Sequence, residues 1–293
     1  QTIHAFCEQL LQRFPLEAQV PPGFEVLDDE KAAALRREAI DDVLTIATRD
    51  RASPIGKALL TAIAYAAEDG FDDKLRQALG QRDWIEAAAR LDESAIDPFA
   101  VAEDLLRRTF GVRGGASRAA IEIDVAGLLS DADLAMLKAG LSTGSTNDLK
   151  MAEAVASTIM AATPSRRCQA LGALLLTKDG EPKASRTLAT NAVQVAHPYV
   201  LPTLLRAQER FVTLDAELRA LDLVTATLAL LRLADAVLGG YTAAKARRAG
   251  LDFEDLVVRT ASLLRTSGAT EWVLYKLDGG LDHILVDESQ DTS

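Results

Sequence analysis

The sequence carries two cysteines, three histidines and only 5% aromatic residues over 293 positions. Cys7 and Cys168 lie too far apart to suggest a disulfide framework or a zinc knuckle, so a reduced, cytosolic setting is the economical reading. His4, His197 and His283 are too scattered for a zinc site. His4 and Cys7 share a helical spacing, yet no oxyanion site or third orienting group accompanies them as a nucleophile pair would require. No apolar run approaches the roughly 20 residues that a membrane span needs. A basic-then-apolar secretion signal is missing from the N-terminus. No repeat or low-complexity tract occurs. The phosphate-loop pattern G-x-x-x-x-G-K-[ST] is absent as well; in the nearest stretch, "SPIGKALLT", Ala58 follows Gly56 and Lys57 and the upstream glycine is lacking. A net charge of −11 argues against a general nucleic-acid-coating role. It leaves room for a narrow basic track.

What is present points to a soluble, mostly helical body, with 48% hydrophobic and 26% charged residues and an excess of alanine and leucine. The length suits one large domain or two ordinary ones. A Pro-rich break, "FPLEAQVPPGF", follows a first amphipathic helix that ends near residue 13. Acids open and Arg49 closes "DDEKAAALRREAIDDVLTIATR", matching the helix dipole at both ends. Further helices are expected over 54–68, 71–79, 81–91, 97–110, 116–140, 146–161 and 166–176. A turn centres on Asp179 and Gly180. From 202 to about 238, Leu214, Leu218, Leu221, Thr225, Leu228, Leu231 and Leu238 recur at helical spacing on one face. Gly239 and Gly240 are expected to break that run, with "YTAAKARRAG" and "DFEDLVVRTASLL" as two more helices, the second capped by Asp252. Only "HILVD" reads as a strand, apolar enough to be buried on both faces. A lone buried strand cannot satisfy its own backbone. With Gln1 rather than Met at the start, the sequence is expected to be a piece of a longer protein.

The chemistry is concentrated in "HILVDESQDTS". A buried strand that delivers two acids at its carboxyl end is how phosphate-hydrolysing enzymes place a metal-binding carboxylate beside one that polarises water. Gln290 and Asp291 extend the pair to D-E-x-Q-D-T. This spelling resembles motif II of superfamily 1 DNA helicases of the UvrD/RecB type, with Ser289 where the family has Ala or Phe. Three more stretches agree in the family's order. "TIHAF" resembles its T-x-H-x-F motif, and "LDFEDLV" resembles the D-F-x-D-L segment before motif II. "LLTKDGEPK" and "RFPLEAQVPPGFEVLDD" are similar to the AddA branch, the helicase–nuclease subunit of double-strand break repair, in its alphaproteobacterial form.

The resemblance implies a division into residues 1–15 (motor domain 1A), 16–250 (a helical 1B insertion) and 251–293 (the return to 1A). The fold is then mainly α, with a small α/β remnant of the RecA-like 1A domain where 2–6 and 284–287 meet in a sheet. It implies ATP and Mg²⁺ as cofactors: Asp287 holds the metal through water, Glu288 orients the attacking water, and Gln290 senses the γ-phosphate. Thr2, His4 and Phe6 would lie along single-stranded DNA, and the partners would be a duplex DNA end and an AddB-like subunit, with no membrane. The chain alone, without the phosphate loop and second motor domain, is expected to be inactive. The basic clusters, Arg107, Arg108, Arg113 and Arg118, then Arg166 and Arg167, Lys178, Lys183 and Arg186, and Lys245, Arg247 and Arg248, read either as solvated faces or as phosphate contacts along duplex DNA. Two alternatives stay open: a non-catalytic helical module that binds DNA or a protein, and a UvrD-like repair helicase without a nuclease.

Overall fold

The computed structural model describes residues 2–66, 70–91, 97–265, 272–273 and 275–276. Helices dominate, and the chain divides into two compact units, one made of Gln1–Arg82 with Leu231–Ser293, the other of Asp83–Leu230.

In the first unit, α1 (Ile3–Arg13) is followed by β1 (Glu25–Val26), α2 (Asp29–Arg49), α3 (Pro54–Tyr65) and α4 (Phe71–Leu79). Asp28 caps α2 by accepting the N–H of Lys31 at 2.8 Å, and Ala32, Leu35, Ala39, Val43 and Ala47 form its buried stripe. β2 (Gly250–Leu251) pairs in parallel with β1, Glu25 opposite Gly250 and Val26 opposite Leu251. Gly250 allows this approach, because a β-carbon there would stand 3.2 Å from the Leu27 side chain. α14 (Phe253–Arg265) packs on α1 over a core of Leu10, Leu11, Phe14, Phe24, Leu251, Leu256 and Leu263. The Pro-rich stretch therefore contributes core residues.

The second unit holds α5 (Arg82–Ala89) from its second residue, α6 (Ala100–Thr109), α7 (Arg118–Ala126), α8 (Asp131–Leu141), α9 (Thr146–Ile159), α10 (Pro164–Leu175), α11 (Ser185–Leu188) and α12 (Asn191–Ala196). Its core joins Ile121, Val125, Leu134, Leu141, Val155, Leu171 and Leu174 to Val200, Leu204, Phe211, Leu214, Leu218 and Leu221 of α13 (Val200–Arg247). Asp148, fully buried, accepts from the N–H and hydroxyl of both Ser145 and Thr190 at 2.7–2.8 Å. Burial pushes its carboxyl up, but those bonds outweigh it and hold the pKa below the usual carboxylate value. One carboxylate thus starts α9 and ties down the loop before α12.

Several expectations are corrected. Residues 3–6 are the first turn of α1, not part of a sheet, because Thr2 Oγ1 accepts the N–H of Ala5 at 3.3 Å and starts a helix there. Among the described residues the strands are two short ones, around residues 25 and 250, that the sequence reading did not expect, and HILVD lies outside those residues and is not tested. The 116–140 stretch splits between Gly127 and Ser130, where Ser130 and Asp133 form a capping box that begins α8. α13 runs through Gly239 and Gly240, since Ala234, Val237, Tyr241 and Ala244 keep one buried face on both sides of them. Packing overrides the roughly 1 kcal/mol that each glycine costs a helix. The buried stripe of α13 also passes through Val224, while Thr225 is exposed and returns its hydroxyl to the carbonyl of Leu221.

Replacing Asp148 by Ala should leave the donors of Ser145 and Thr190 without their acceptor. Loss of the cap and of these buried bonds should destabilise the second unit by about 2–3 kcal/mol, read as a lowered urea midpoint.

Candidate functional site

The first unit brings together two of the stretches singled out in the sequence. Thr2 caps α1 and Phe253 opens α14, and the His4 ring meets the Phe253 ring edge-on with centroids 5.1 Å apart. Both residues are exposed, while Phe6, half-buried, turns back onto the core beneath.

Behind Phe253 lies a buried charge network. Asp255 donates its N–H to Asp252 Oδ1 at 2.8 Å, and the Asp252 N–H reaches Asp255 Oδ2 at 3.3 Å. The D-F-x-D spacing is therefore a reciprocal cap on α14. Lys245, near the end of α13 and only 3% exposed, donates to Asp252 Oδ2 at 2.8 Å and to Asp255 Oδ2. Tyr241, one helical turn earlier, donates its hydroxyl to Asp252 Oδ2 at 2.7 Å, and its ring lies 4.4 Å from the Lys245 ammonium. Arg82 reaches Asp255 Oδ1 at 3.2 Å and Glu254 at 3.5 Å. The two buried acids thus face two cations.

Burial alone would raise the Asp252 carboxyl. The hydrogen bonds from Lys245, from the Asp255 N–H and from Tyr241 more than reverse this and bring its pKa to about 2. Tyr241 moves the other way, because burial and the nearby carboxylate both oppose a phenolate.

The basic residues of the second unit separate into two kinds. Arg107 bonds Glu103 and the carbonyl of Ala116, both at 2.9 Å, which fixes the loop between α6 and α7. Arg113 joins Glu217 at 2.9 Å to Asp124 at 2.8 Å, and Arg118 joins Glu122 to Asp222. Arg167 bonds Asp131 at 2.9 Å and the carbonyl of Leu129 at 2.8 Å. Lys183 donates to the carbonyls of Ala173 and Leu174 at the end of α10, at 2.6 and 3.1 Å, and burial lowers its pKa. Arg108 pairs with Asp104 at 2.5 Å but stays 75% exposed. Arg166 and Lys178 are exposed and take part in no ion pair among the described residues. Lys178 stands in the turn that Gly180 closes with a φ of +81°, a conformation that favours glycine.

Asp287, Glu288 and Gln290 lie outside the described residues. Beyond the geometry, the family model for the UvrD/REP helicase N-terminal domain matches residues 1–293. The chain belongs to the UvrD/REP helicase family. No match to a curated protein reaches significance. Membership makes this a UvrD-type superfamily 1 helicase domain, from a class of ATP-dependent DNA helicases that hydrolyse Mg–ATP. Among the described residues, no helix of this helicase domain is long and apolar enough to cross a membrane.

Sequence reasoning finds Asp252 as a cap of the helicase chain but groups Lys245 with Arg247 and Arg248 as a surface cluster. Lys245 is buried, and Arg248 reaches Glu38 at 3.4 Å. The signal that could have found it is the Tyr241–Lys245 spacing, which puts both on the face that carries Val237 and Leu238.

Because the folded pKa of Asp252 is depressed, its ionised form stabilises the helicase domain fully above pH about 4 and loses that effect as the pH falls through about 2. Asp252→Asn should therefore be less stable by about 2 kcal/mol at neutral pH, with the gap to wild type closing in acid. Urea midpoints measured across pH test this. A gap unchanged at low pH would mean that the charge contributes nothing.

Proposed function

We propose that this chain is the 1A–1B portion of an AddA-like, ATP-dependent DNA helicase–nuclease of double-strand break repair. In this reading, residues 1–15 and 251–293 belong to motor domain 1A and residues 16–250 form the helical 1B insertion. One observation carries it: residues 287–292 spell D-E-x-Q-D-T directly after an apolar run, in a chain that the helicase family model matches throughout. The AddA assignment rests on "LLTKDGEPK" and on the stretch from Arg13 to Asp29. An AddB-like subunit is the partner, the nuclease lies elsewhere in the polypeptide, and the setting is cytoplasmic.

Asp287 offers carboxylate oxygens, the donor type that Mg²⁺ prefers, and would hold the ion. The ion would supply charge neutralisation at the phosphates of ATP. Glu288 orients the attacking water and accepts its proton, while the Gln290 amide senses the γ-phosphate. Thr2 and His4 lie along single-stranded DNA, and Phe6, packed on the core beneath, anchors their turn. The exposed Arg108, Arg166 and Lys178 bind phosphates of duplex DNA on the helical arm. Arg107, Arg113, Arg167 and Lys183 shape that surface through the internal bonds described above.

In the complete helicase, Glu288→Gln should lower ATP turnover by about 10²–10⁴-fold with DNA affinity retained. Turnover at the wild-type rate would overturn the assignment. The chain by itself is proposed to be inactive. On the arm, Arg166→Ala and Lys178→Ala should each flatten the slope of log affinity against log salt by about one unit per phosphate that the side chain neutralises. Arg107→Ala should leave that slope unchanged and lower stability instead. An unaltered slope in all three would take the arm off the DNA path.

A further inference from the structure

The Lys245 network and the His4–Phe253 pair are consecutive. Lys245 is at the end of α13, its two carboxylate partners are residues N-cap and N3 of α14, and Phe253 stands between those acids in sequence. Phe253 then touches His4 in the first turn of α1. An exposed ring pair fixes little alone, because side chains at a surface exchange rotamers. Here one ring is carried on a helix start that is held from beneath by a reciprocal cap, a buried ammonium and, through Asp255, Arg82. The stiffness of that start passes to His4 through direct packing, without any need for Lys245 to approach DNA.

We infer that Lys245 is a positioning residue for DNA engagement: it fixes the first turn of α14, and Phe253 transfers that placement to His4 and the turn that residues 2–6 form. The inference rests on the reading of residues 2–6 as a DNA-binding stretch. It assigns a role in that binding to a lysine that is itself shielded from solvent, and to an aromatic residue outside the T-x-H-x-F stretch.

The test is a set of double-mutant cycles in the complete helicase, with single-stranded oligonucleotide affinity as the readout. Lys245→Met, Phe253→Ala and His4→Ala are made singly, and each of the first two is combined with His4→Ala. Each single variant should weaken binding by roughly 3- to 30-fold. Each double variant should bind within about 2-fold of His4→Ala alone, since the first change acts through the second residue. A general loss of structure would instead multiply the two effects. Phe253 is 39% exposed, so Phe253→Ala decides the matter even if Lys245→Met does not fold. If His4→Ala binds normally, the DNA reading of residues 2–6 fails and this inference with it. If His4→Ala is weakened but Phe253→Ala or a folded Lys245→Met is not, or the two effects multiply, the positioning role alone is overturned.

Discussion

Lys245 is an ammonium enclosed by protein, and the first unit is arranged around the need to satisfy it. A buried charge without partners costs several kcal/mol, and removing one member of a buried pair typically costs about 3–5 kcal/mol. The partners supplied are the two acids that start α14, so one set of atoms caps a helix and neutralises a cation. Arg82, from a part of the sequence 173 residues away from Asp255, balances the second acid. Tyr241 donates to the same Asp252 oxygen as Lys245 and lays its ring against the ammonium. Each group is satisfied only while α13, the Arg82 segment and α14 keep their places. The adjoining ends of α13 and α14 are thereby fixed to each other and to the distant segment at Arg82.

The second unit uses a related device with a different counterpart. Asp148, like Asp255, is the third residue of its helix and part of a reciprocal cap, and it too is tied to a distant segment. Its partners are hydroxyls and N–H groups, not cations. That suffices to hold a carboxylate ionised, because several short hydrogen bonds to one group offset its desolvation. A helix start is a good place for such an acid, as the local backbone already favours negative charge.

How far the sequence can be read follows from these two devices. Helix starts at Asp28, Ser130 and Asp252 are local chemistry, written within four residues. Of these, the Ser130 start is masked because the apolar spacing runs on past Gly127. Gly239 and Gly240 fail as punctuation for the opposite reason: the packing that carries a helix across them lies in other segments. The two short strands carry no pattern that two residues can express. Lys245 is the largest misreading, since a basic residue followed by two arginines looks the same in sequence whether it faces water or two buried acids. The proposed motif II acids are read from spelling alone, and Asp287 and Glu288 lie outside the described residues.

A DNA-acting chain with a net charge of −11 must confine its attraction for phosphates to few places. In the proposed reading, the second unit does so by engaging several of its guanidinium groups internally. Arg113 and Arg118 are each shared between two acids, and Arg107 and Arg167 each divide their donors between an acid and a backbone carbonyl. A guanidinium engaged in this way gives up internal bonds before it can take a phosphate, so it discriminates against loose binding along the whole surface. Open cations such as Arg166 and Lys178 have no such competition. Affinity built from a small number of phosphate interactions falls less steeply with salt.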